Sequence, residues 1–324
     1  MKEYLKMVRR SRSAYSFIGL MIVVAISSII VREFMTFDNI ITIFRQASIL
    51  LILSTGLTAV ILTGNMDLSV GATAGFIGCA CAQFLKTGIP VWLVVLLGVA
   101  IGALVGMFNG FLVGTVKLPS FIATYGTNWV VLGLSIIIMN GAVIFGLPEG
   151  FTWFGTGYIG PIPVIIIIAS IIVALAYILL QKTTFGRDVY SVGANPDAAL
   201  YSAVPVKNTL YYAFILSSIT AGLAGALMTA RLNAADATMG DAYGLQTVAA
   251  VVVGGTSLLG GEGGVIGTVI GALLLTIIVN VMNLLGISSF AQSMVVGIVI
   301  LTMVLFDSYT RTKQEKSITK ADRV

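Results

Sequence analysis

The stretch PVIIIIASIIVALAYILL, residues Pro163–Leu180, contains eighteen residues and no charged side chain. A helix needs about 20 mostly apolar residues to cross the ~30 Å hydrocarbon core of a membrane. A second apolar stretch, YYAFILSSITAGLAGALM, follows at Tyr211–Met228. Continuous apolar runs of this length, without strict alternation, indicate membrane-spanning helices rather than the strands of a barrel.

The composition of the whole chain supports the same interpretation. Of its 324 residues, 58% are hydrophobic and 10% are charged, and the mean hydropathy is +1.04. Soluble domains carry about 25% charged residues. The sequence therefore predicts an all-α polytopic membrane protein with one transmembrane domain, residues 1–324, and about ten transmembrane helices. The predicted spans are 14–31, 42–63, 68–85, 91–114, 120–139, 163–180, 208–230, 246–259, 264–285 and 289–306.

Lysine and arginine are distributed unevenly among the predicted loops. Fourteen of the eighteen fall on one side of the ten-span arrangement. They lie in the amino-terminal tail (1–13), the loop after the fourth span, the loop 181–207 and the carboxyl-terminal tail (307–324). Because positively charged loops stay in the cytoplasm, both termini are predicted to be cytoplasmic. The net charge of +5 is then a topology signal and requires no nucleic-acid partner.

The loop 181–207 carries the signals of a short helix. Asn195 is a favourable N-cap, Pro196 suits the first helical position, and Asp197 complements the positive end of the helix dipole. The pattern predicts a helix over Pro196–Ala203, about eight residues or ~12 Å long.

One face of this predicted helix is small. Ala199 and Ala203 lie four residues apart, so they share a face that another surface could approach closely. Gly193 gives conformational freedom to the turn that enters the helix. An ordinary capped connector between two spans is the alternative interpretation of the same residues.

The sequence lacks the residue patterns of nucleotide-binding, catalytic and metal sites. The chain has no histidine and no lysine directly after a glycine, so it lacks a phosphate-binding P-loop. No nucleophile–base pair or metal-ligand cluster is visible, so we expect no catalytic residue and no metal site, and an intramembrane enzyme is disfavoured. Cys79 and Cys81 are expected to be buried free thiols.

The positions of the acidic residues bear on a self-sufficient carrier. Asp67 and Glu262 lie at loop junctions, and no acid occupies the middle of a predicted span. Carriers coupled to protons or sodium usually keep ionisable groups near the midplane, so this distribution disfavours them. A self-sufficient secondary carrier or channel for a small polar solute remains the alternative function.

Two segments repeat a short pattern. TVKLPSFIATYG (Thr115–Gly126) and NLLGISSFAQSM (Asn283–Met294) each place a Ser-Phe pair at the start of a predicted span. In the ten-span arrangement the two pairs face opposite sides of the membrane. This pattern is typical of an inverted repeat.

Four longer segments, which extend from about the second span to the tenth, closely resemble the ribose-type permease family of ATP-binding-cassette importers. Their order, spacing and repeated glycines make the resemblance specific. They are TGNMDLSVGATAG (Thr63–Gly75), NGFLVGTVKLPSFIATYGTNWVVLGL (Asn109–Leu134), GRDVYSVGANPDAALYSAVPV (Gly186–Val206) and VAAVVVGGTSLLGGEGGVIGTVIGALLL (Val248–Leu275).

The resemblance implies a type II importer permease fold with an inverted repeat, in the bacterial cytoplasmic (inner) membrane. It implies three partners: a second permease subunit, identical or paralogous, a cytoplasmic ATPase and an extracytoplasmic solute-binding protein. ATP would be bound by the ATPase, so no cofactor is expected in this chain. The loop 181–207 would be the coupling loop, whose helix docks in a groove of the ATPase. The residues carried over to this role are Gly186, Arg187, Gly193, Asn195, Asp197, Ala198 and Ala199.

The expected function is that of a permease subunit, not an enzyme. It would translocate a small neutral solute, a monosaccharide such as ribose or a related sugar or polyol, by alternating access driven by separate ATPase subunits. Candidates near the translocation pathway are Asn65, Asp67, Thr124, Asn128 and Asn280. For each asparagine the alternative is a hydrogen bond between helices, since polar side chains often join helices in membranes.

Overall fold

The computed structural model describes residues 12–299 and 301–302, so most of the predicted amino-terminal tail and all of 307–324 lie outside the described residues. In the described part of the chain, helices dominate. They are α1 (Arg12–Ile30), α2 (Phe37–Leu62), α3 (Val70–Lys86), α4 (Val91–Gly114), α5 (Ser120–Met139), α6 (Glu149–Thr156), α7 (Val164–Lys182), α8 (Thr184–Ala194), α9 (Pro196–Tyr201), α10 (Val206–Leu232), α11 (Asp241–Val253), α12 (Val265–Leu284) and α13 (Ser289–Val299).

Four two-residue strands form two small antiparallel pairs. The first strand, β1 (Ile144–Phe145), pairs with β4 (Ala234–Ala235), and β2 (Tyr158–Ile159) pairs with β3 (Ile162–Pro163). These strands and α6 lie in connections that the sequence pattern left without structure, because elements this short carry no periodicity to detect.

The predicted all-α membrane protein is confirmed. Among the described residues, six helices are long and apolar enough to cross a membrane: α2, α4, α5, α7, α10 and α12. The shorter apolar helices α3, α11 and α13, and the apolar part of α1 (Ala14–Ile30), overlap the remaining predicted spans. That all ten cross the membrane stays a prediction.

The predicted eighth span was misplaced. It was expected at 246–259, whereas α11 runs from Asp241 to Val253. The glycine-rich segment that follows is not helical, and Gly255, Gly260 and Gly263 have positive φ angles of 93°, 85° and 119°. Glycine adopts such angles without steric cost, so this segment ends the helix earlier than hydropathy alone suggested.

The long helix α10 lies at the centre of the bundle and packs against α2, α3 and α4. Glycines on α4 allow a close approach: a Cβ atom at Gly102 or Gly106 would collide with the α10 backbone at Ser218 or Phe214. Small residues at helix contacts in a membrane allow backbones to approach in this way. The core is therefore built around α10, with α4 fitted against it.

Two hydrogen bonds indicate which connections between helices lie on the same face of the bundle. On one face, the hydroxyls of Thr115 and Tyr211 are 2.7 Å apart, which joins the start of the α4–α5 connection to the first turns of α10. On the opposite face, Asn233 Oδ1 accepts a hydrogen bond of 2.8 Å from the Leu147 amide. This sorting agrees with the predicted alternation of the loops. The charge pattern assigns the first face to the cytoplasm, and that orientation stays a prediction.

Candidate functional site

The predicted coupling loop contains two helices, α8 and α9, rather than one. The Thr183 hydroxyl accepts a hydrogen bond of 3.4 Å from the Gly186 amide and caps α8. At the start of α9, Asn195 Oδ1 accepts a hydrogen bond of 3.0 Å from the Ala198 amide, and Pro196 occupies the first helical position. The predicted N-cap is therefore confirmed, whereas the longer helix α8 was missed.

The carboxyl end of α9 differs from the prediction. The helix ends at Tyr201, so it has six residues and does not reach Ala203. Ala203 adopts a left-handed φ of 61°. The amide of Ala203 donates to the Leu200 carbonyl at 3.1 Å, and the amide of Val204 donates to the Ala199 carbonyl at 3.0 Å. These two bonds form a Schellman motif, which closes the helix before the proline that was expected to end it.

The small face of α9 is turned toward the protein itself. Only 4% of the Ala199 surface is exposed, which corrects the expectation that this side chain is open to another surface. The accessible apolar side chains are instead Leu200, 62% exposed, and Tyr201, 90% exposed. Arg187, Asp197 and Ala198, from the predicted coupling set, are also exposed. The accessible face of α9 therefore combines two large apolar side chains with polar ones.

Two glycines of the predicted set lie where no side chain fits. A Cβ atom on Gly186 would collide with the carbonyl oxygen of Leu180, at the end of α7. A Cβ atom on Gly193 would collide with the carbonyl oxygen of Leu62, the last residue of α2. Both obstacles are backbone atoms, which cannot move aside as a flexible side chain can. Gly186 and Gly193 therefore fix how closely α8 packs on the bundle.

Gly193 is part of a junction between three distant segments. The Gly261 amide donates a hydrogen bond of 2.9 Å to the Leu62 carbonyl, against which Gly193 also lies. Gly260, with a φ of 85°, has no room for a Cβ atom because Gly64 and Gly193 are adjacent. We call these five residues, Leu62, Gly64, Gly193, Gly260 and Gly261, the glycine junction. It joins α8 to the end of α2 and to the α11–α12 connection.

A tyrosine strengthens the same connection. The Tyr190 hydroxyl donates a hydrogen bond of 2.8 Å to the Gly263 carbonyl and accepts one of 2.8 Å from Gln181. Burial raises the pKa of the Tyr190 hydroxyl above its ordinary value of 10.0. The hydroxyl therefore keeps its proton at physiological pH, and the bond to the α11–α12 connection persists.

The chain continues from the glycine junction to a buried acid. The Asp67 carboxylate is fully buried, and its Oδ1 accepts hydrogen bonds from the Ser69 amide at 3.0 Å and hydroxyl at 2.6 Å. Its Oδ2 accepts one of 3.0 Å from the Ser217 hydroxyl. Ser217 lies eleven residues after the start of α10, which corresponds to about 16 Å along the helix. Asp67 therefore lies in the connection between α2 and α3, as expected, but this connection is buried inside the bundle.

Further polar side chains complete this cluster. Asn109 Nδ2 donates a hydrogen bond of 2.8 Å to the Ser69 hydroxyl. Asn109 Oδ1 is buried and has no hydrogen-bond partner among the described residues. We call Asp67, Ser69, Asn109 and Ser217 the Asp67 cluster. Only Asp67 was predicted, although Asn109 is a polar residue in an otherwise apolar helix, which is a signal that the sequence does contain.

The start of α5 holds the segment that leads to this cluster. The Ser120 hydroxyl accepts a hydrogen bond of 3.1 Å from the Met66 amide. The Thr124 hydroxyl accepts one of 3.1 Å from the Leu68 amide and donates one of 2.8 Å to the Ser120 carbonyl. Ser120 and Thr124, the second of which is a predicted pathway residue, therefore position the backbone on the two sides of Asp67.

The structure separates the remaining predicted pathway residues. Asn65 lies in the segment before Asp67, where its Nδ2 donates to the Thr63 carbonyl at 3.2 Å. Asn128 is half-buried, one turn beyond Thr124 on α5. Asn280 is distant from these groups: it exchanges two side-chain hydrogen bonds, of 2.9 and 3.1 Å, with Asn39. For Asn280 the geometry therefore fits the alternative, a polar link between α2 and α12.

The remaining predictions concern the cysteines and metal ligands. Cys79 and Cys81 are buried free thiols, as predicted. Across residues 12–299 and 301–302, no group of three or more histidine, cysteine, aspartate or glutamate side chains could hold a metal ion.

Known proteins resemble this chain over most of its length. The family described as the branched-chain amino acid transport system permease component matches residues 39–304. The ribose import permease protein of Haemophilus influenzae is 41% identical over 303 residues, which cover 92% of this chain and 94% of that protein. The ribose import permease protein of Bacillus subtilis is 43% identical over 293 residues, which cover 90% and 91%.

More distant relatives have other solutes in their names. The D-allose transport system permease protein of Escherichia coli is 34% identical over 294 residues, which cover 90% of each chain. No solved structure matches the chain significantly. The matches extend from α2 to the last described helix, so they include both the glycine junction and the Asp67 cluster. The chain belongs to the branched-chain amino acid transport system permease family, as a ribose-type permease of the ATP-binding-cassette importers.

Proposed function

We propose that this chain moves a small neutral solute, a monosaccharide such as ribose or a related sugar or polyol, across the bacterial inner membrane. The relatives named for ribose and D-allose support this class of solute. Transport proceeds by alternating access. Separate ATPase subunits supply the energy, and the chain itself binds no ATP or other cofactor.

The glycine junction is the structural observation that supports coupling to separate ATPase subunits. It fixes α8 directly on the Leu62 carbonyl, five residues before Asp67. A displacement of α8 and α9 therefore reaches the segment 63–69 through backbone contacts, without an intervening flexible side chain. Rigid packed elements transmit small displacements in this way because they shift between discrete arrangements.

The family assignment supports three partners for this chain. A cytoplasmic ATPase docks on α9 and the exposed residues of α8, with Gly186 and Gly193 setting the position of both helices and Asn195 stabilising α9. Leu200 and Tyr201 provide the exposed apolar contacts expected at the centre of an interface. A solute-binding protein delivers the sugar on the opposite face, and a second permease subunit, identical or paralogous, completes the membrane part. Both termini are cytoplasmic, and residues 1–324 form one domain.

The pathway passes the Asp67 cluster. Asn65, Asp67, Thr124 and Asn128 lie along α5 and the segment that it holds, and Asn109 and Ser217 join them. Asn109 Oδ1 is a buried acceptor without a described partner, so it can accept a hydrogen bond from water or a sugar hydroxyl. Asn280 stays outside this group as a link between helices.

Co-purification and uptake test this function together. The tagged chain is expressed with its ATPase and binding protein in cells that lack their own ribose and allose permeases. We expect the tag to recover the ATPase, and the cells to accumulate labelled D-ribose or D-allose only when all components are present. Failure to recover the ATPase would contradict the importer assignment, whereas recovery without uptake of either sugar would contradict only the class of solute.

A further inference from the structure

The outer face of α5 carries three aromatic rings in a row. Phe121 and Tyr125 are stacked, with ring centroids 6.1 Å apart and planes inclined by 7°. Tyr125 and Trp129 meet edge to face, with centroids 6.2 Å apart. All three side chains are exposed. We call Phe121, Tyr125 and Trp129 the α5 aromatic stripe.

The chemistry of this stripe does not suit contact with lipid tails. Trp129 lies nine residues into α5, or about 14 Å along the helix, close to the middle of a ~30 Å hydrocarbon core. The indole N–H of Trp129 and the hydroxyl of Tyr125 need hydrogen-bond partners, which lipid tails cannot supply. Tryptophan and tyrosine that face lipid are therefore concentrated at the membrane interfaces.

Helix α7 presents the contrasting surface. Its exposed side chains recur with similar spacing, but they are aliphatic: Ile171, Leu175 and Ile178. Leu175 and Trp129 are each 57% exposed, so these two side chains differ in chemistry rather than in accessibility. The α7 face is suited to lipid, whereas the α5 stripe requires surroundings with polar groups or water.

The stripe also lies beside the polar site. The opposite face of α5 holds the segment around Asp67 through Ser120 and Thr124, and half-buried Asn128 lies between the two faces. Next to the stripe, a Cβ atom on Gly126 or Gly133 would meet no atom within 4 Å. The helix therefore offers open space, aromatic faces and a polar amide together.

We propose that the α5 aromatic stripe is a sugar-contact surface of the translocation pathway, on which the ring of the transported sugar stacks. The proposal rests on the function proposed above and names residues that would contact the solute. One face of a sugar ring presents C–H groups polarised by neighbouring oxygens, and the face of an aromatic ring is negative, so the two attract. Three successive rings provide such contacts along the helix, and Asn128 supplies hydrogen bonds to the hydroxyls.

Uptake by variants tests the need for the rings. In cells with the complete transporter, Trp129→Ala should lower the rate of D-ribose uptake at least about threefold, since aromatic contacts of this kind are modest individually. Trp129→Phe should retain most of the rate because it keeps a ring. Leu175→Ala, equally exposed on α7, is the matched control and should behave as wild type. Membrane levels of all variants are compared by immunoblotting.

Thiol labelling tests what the stripe faces. Gly126→Cys, with Cys79 and Cys81 replaced by alanine, keeps all three rings and places a thiol beside them. We expect a water-soluble thiol reagent to modify this cysteine, and D-ribose to slow the reaction. Leu175→Cys, on the aliphatic face of α7, should react far more slowly.

The outcomes separate the two proposals. If wild-type cells take up neither D-ribose nor D-allose, the proposed solute class fails. If wild-type uptake occurs but Trp129→Ala matches it, the aromatic stripe has no role in transport. Equal labelling of Gly126→Cys and Leu175→Cys, or labelling that D-ribose leaves unchanged, would also overturn the sugar-contact surface, because lipid or a closed contact with another protein would then cover it.

Discussion

The backbone amide of Gly261 donates a hydrogen bond of 2.9 Å to the carbonyl oxygen of Leu62. Leu62 is the last residue of α2, so its carbonyl has no partner within its own helix. Gly193 lies against the same oxygen, so neither α8 nor the α11–α12 connection can move independently of the end of α2. In this arrangement α8, which we propose faces the ATPase together with α9, and the α11–α12 connection meet at the carbonyl oxygen where the segment toward Asp67 begins.

A methyl group at the junction should disturb transport. Gly193→Ala places a Cβ atom against the Leu62 carbonyl, and one of the two backbones must shift. We expect uptake to fall by about tenfold or more, with a cost to stability in the range of 1–3 kcal/mol that is usual for overpacking. The measurements are sugar uptake in cells and the melting temperature of the purified protein.

The control is Gly19→Ala on α1, where the new Cβ atom makes only an ordinary contact of 3.7 Å with Leu274. This variant should keep its uptake. Normal transport by Gly193→Ala would mean that α8 can move away from the end of α2 without effect, so the junction would not transmit displacements of α8.

The accessible face of α9 should decide binding of the ATPase. Tyr201→Ala and Leu200→Ala remove exposed apolar side chains, so each should reduce recovery of the ATPase by the tagged permease while the permease itself stays folded. Ala199→Trp should fail for another reason, because Ala199 is buried against its own chain and the indole has no space. We therefore expect Ala199→Trp to lower the melting temperature of the isolated permease, whereas Tyr201→Ala should leave it unchanged.

Removing the N-cap of α9 should reduce recovery of the ATPase more than removing the charge of Asp197. Asn195→Ala removes the acceptor for the Ala198 amide and should cost about 0.5–2 kcal/mol of helix stability. Asp197→Asn removes only a charge near the helix start, worth about 0.3–1 kcal/mol. Recovery of the ATPase should fall more for Asn195→Ala than for Asp197→Asn. The reverse order would show that Asp197 contacts the ATPase directly.

Substitutions in the Asp67 cluster should lower both the stability of the folded protein and the uptake of sugar. Asp67→Ala leaves the buried hydroxyls of Ser69 and Ser217 without their acceptor, at a cost of about 1–3 kcal/mol. Ser170→Ala is the control, since that exposed hydroxyl bonds only to the Ile166 carbonyl in its own helix. Thermal unfolding in detergent should distinguish the two variants, and equal stability would contradict the hydrogen-bond network.

Labelling from each side of the membrane tests the orientation. With Cys79 and Cys81 removed, Ala198→Cys should react only with reagents that enter the cytoplasm, since Ala198 is exposed on α9. Trp153→Cys, on exposed α6, should react from outside. Reaction of both positions from one side would contradict the alternation of the ten predicted helices.

Local signals in the sequence predicted local features well. The apolar stretches located the ten apolar helices to within a few residues, apart from the start of α2 and both ends of α11. Asn195 and Pro196 marked the start of α9 correctly because a cap depends on neighbouring residues alone. The predicted end of α9 was wrong because Ala203 adopts a left-handed conformation, which at the end of a helix is usually adopted by glycine.

The features that depend on tertiary contacts could not be predicted in the same way. Nothing near Gly193 in the sequence indicates that it meets Leu62 and Gly261. The depth of Asp67 became visible only through its bond to Ser217, 150 residues away. Asn280 looked like a pathway residue by type, whereas its pairing with Asn39 joins helices at a separation of 241 residues.

Transport by purified components tests the central claim most directly. The permease is reconstituted in liposomes alone, or together with its ATPase and binding protein, and entry of labelled D-ribose or D-allose is measured. Because the chain has no lysine directly after a glycine to form a phosphate-binding loop, we expect it to bind no ATP on its own. Uptake should require all components and ATP hydrolysis. Uptake by the permease alone, driven by a proton or sodium gradient, would contradict the account.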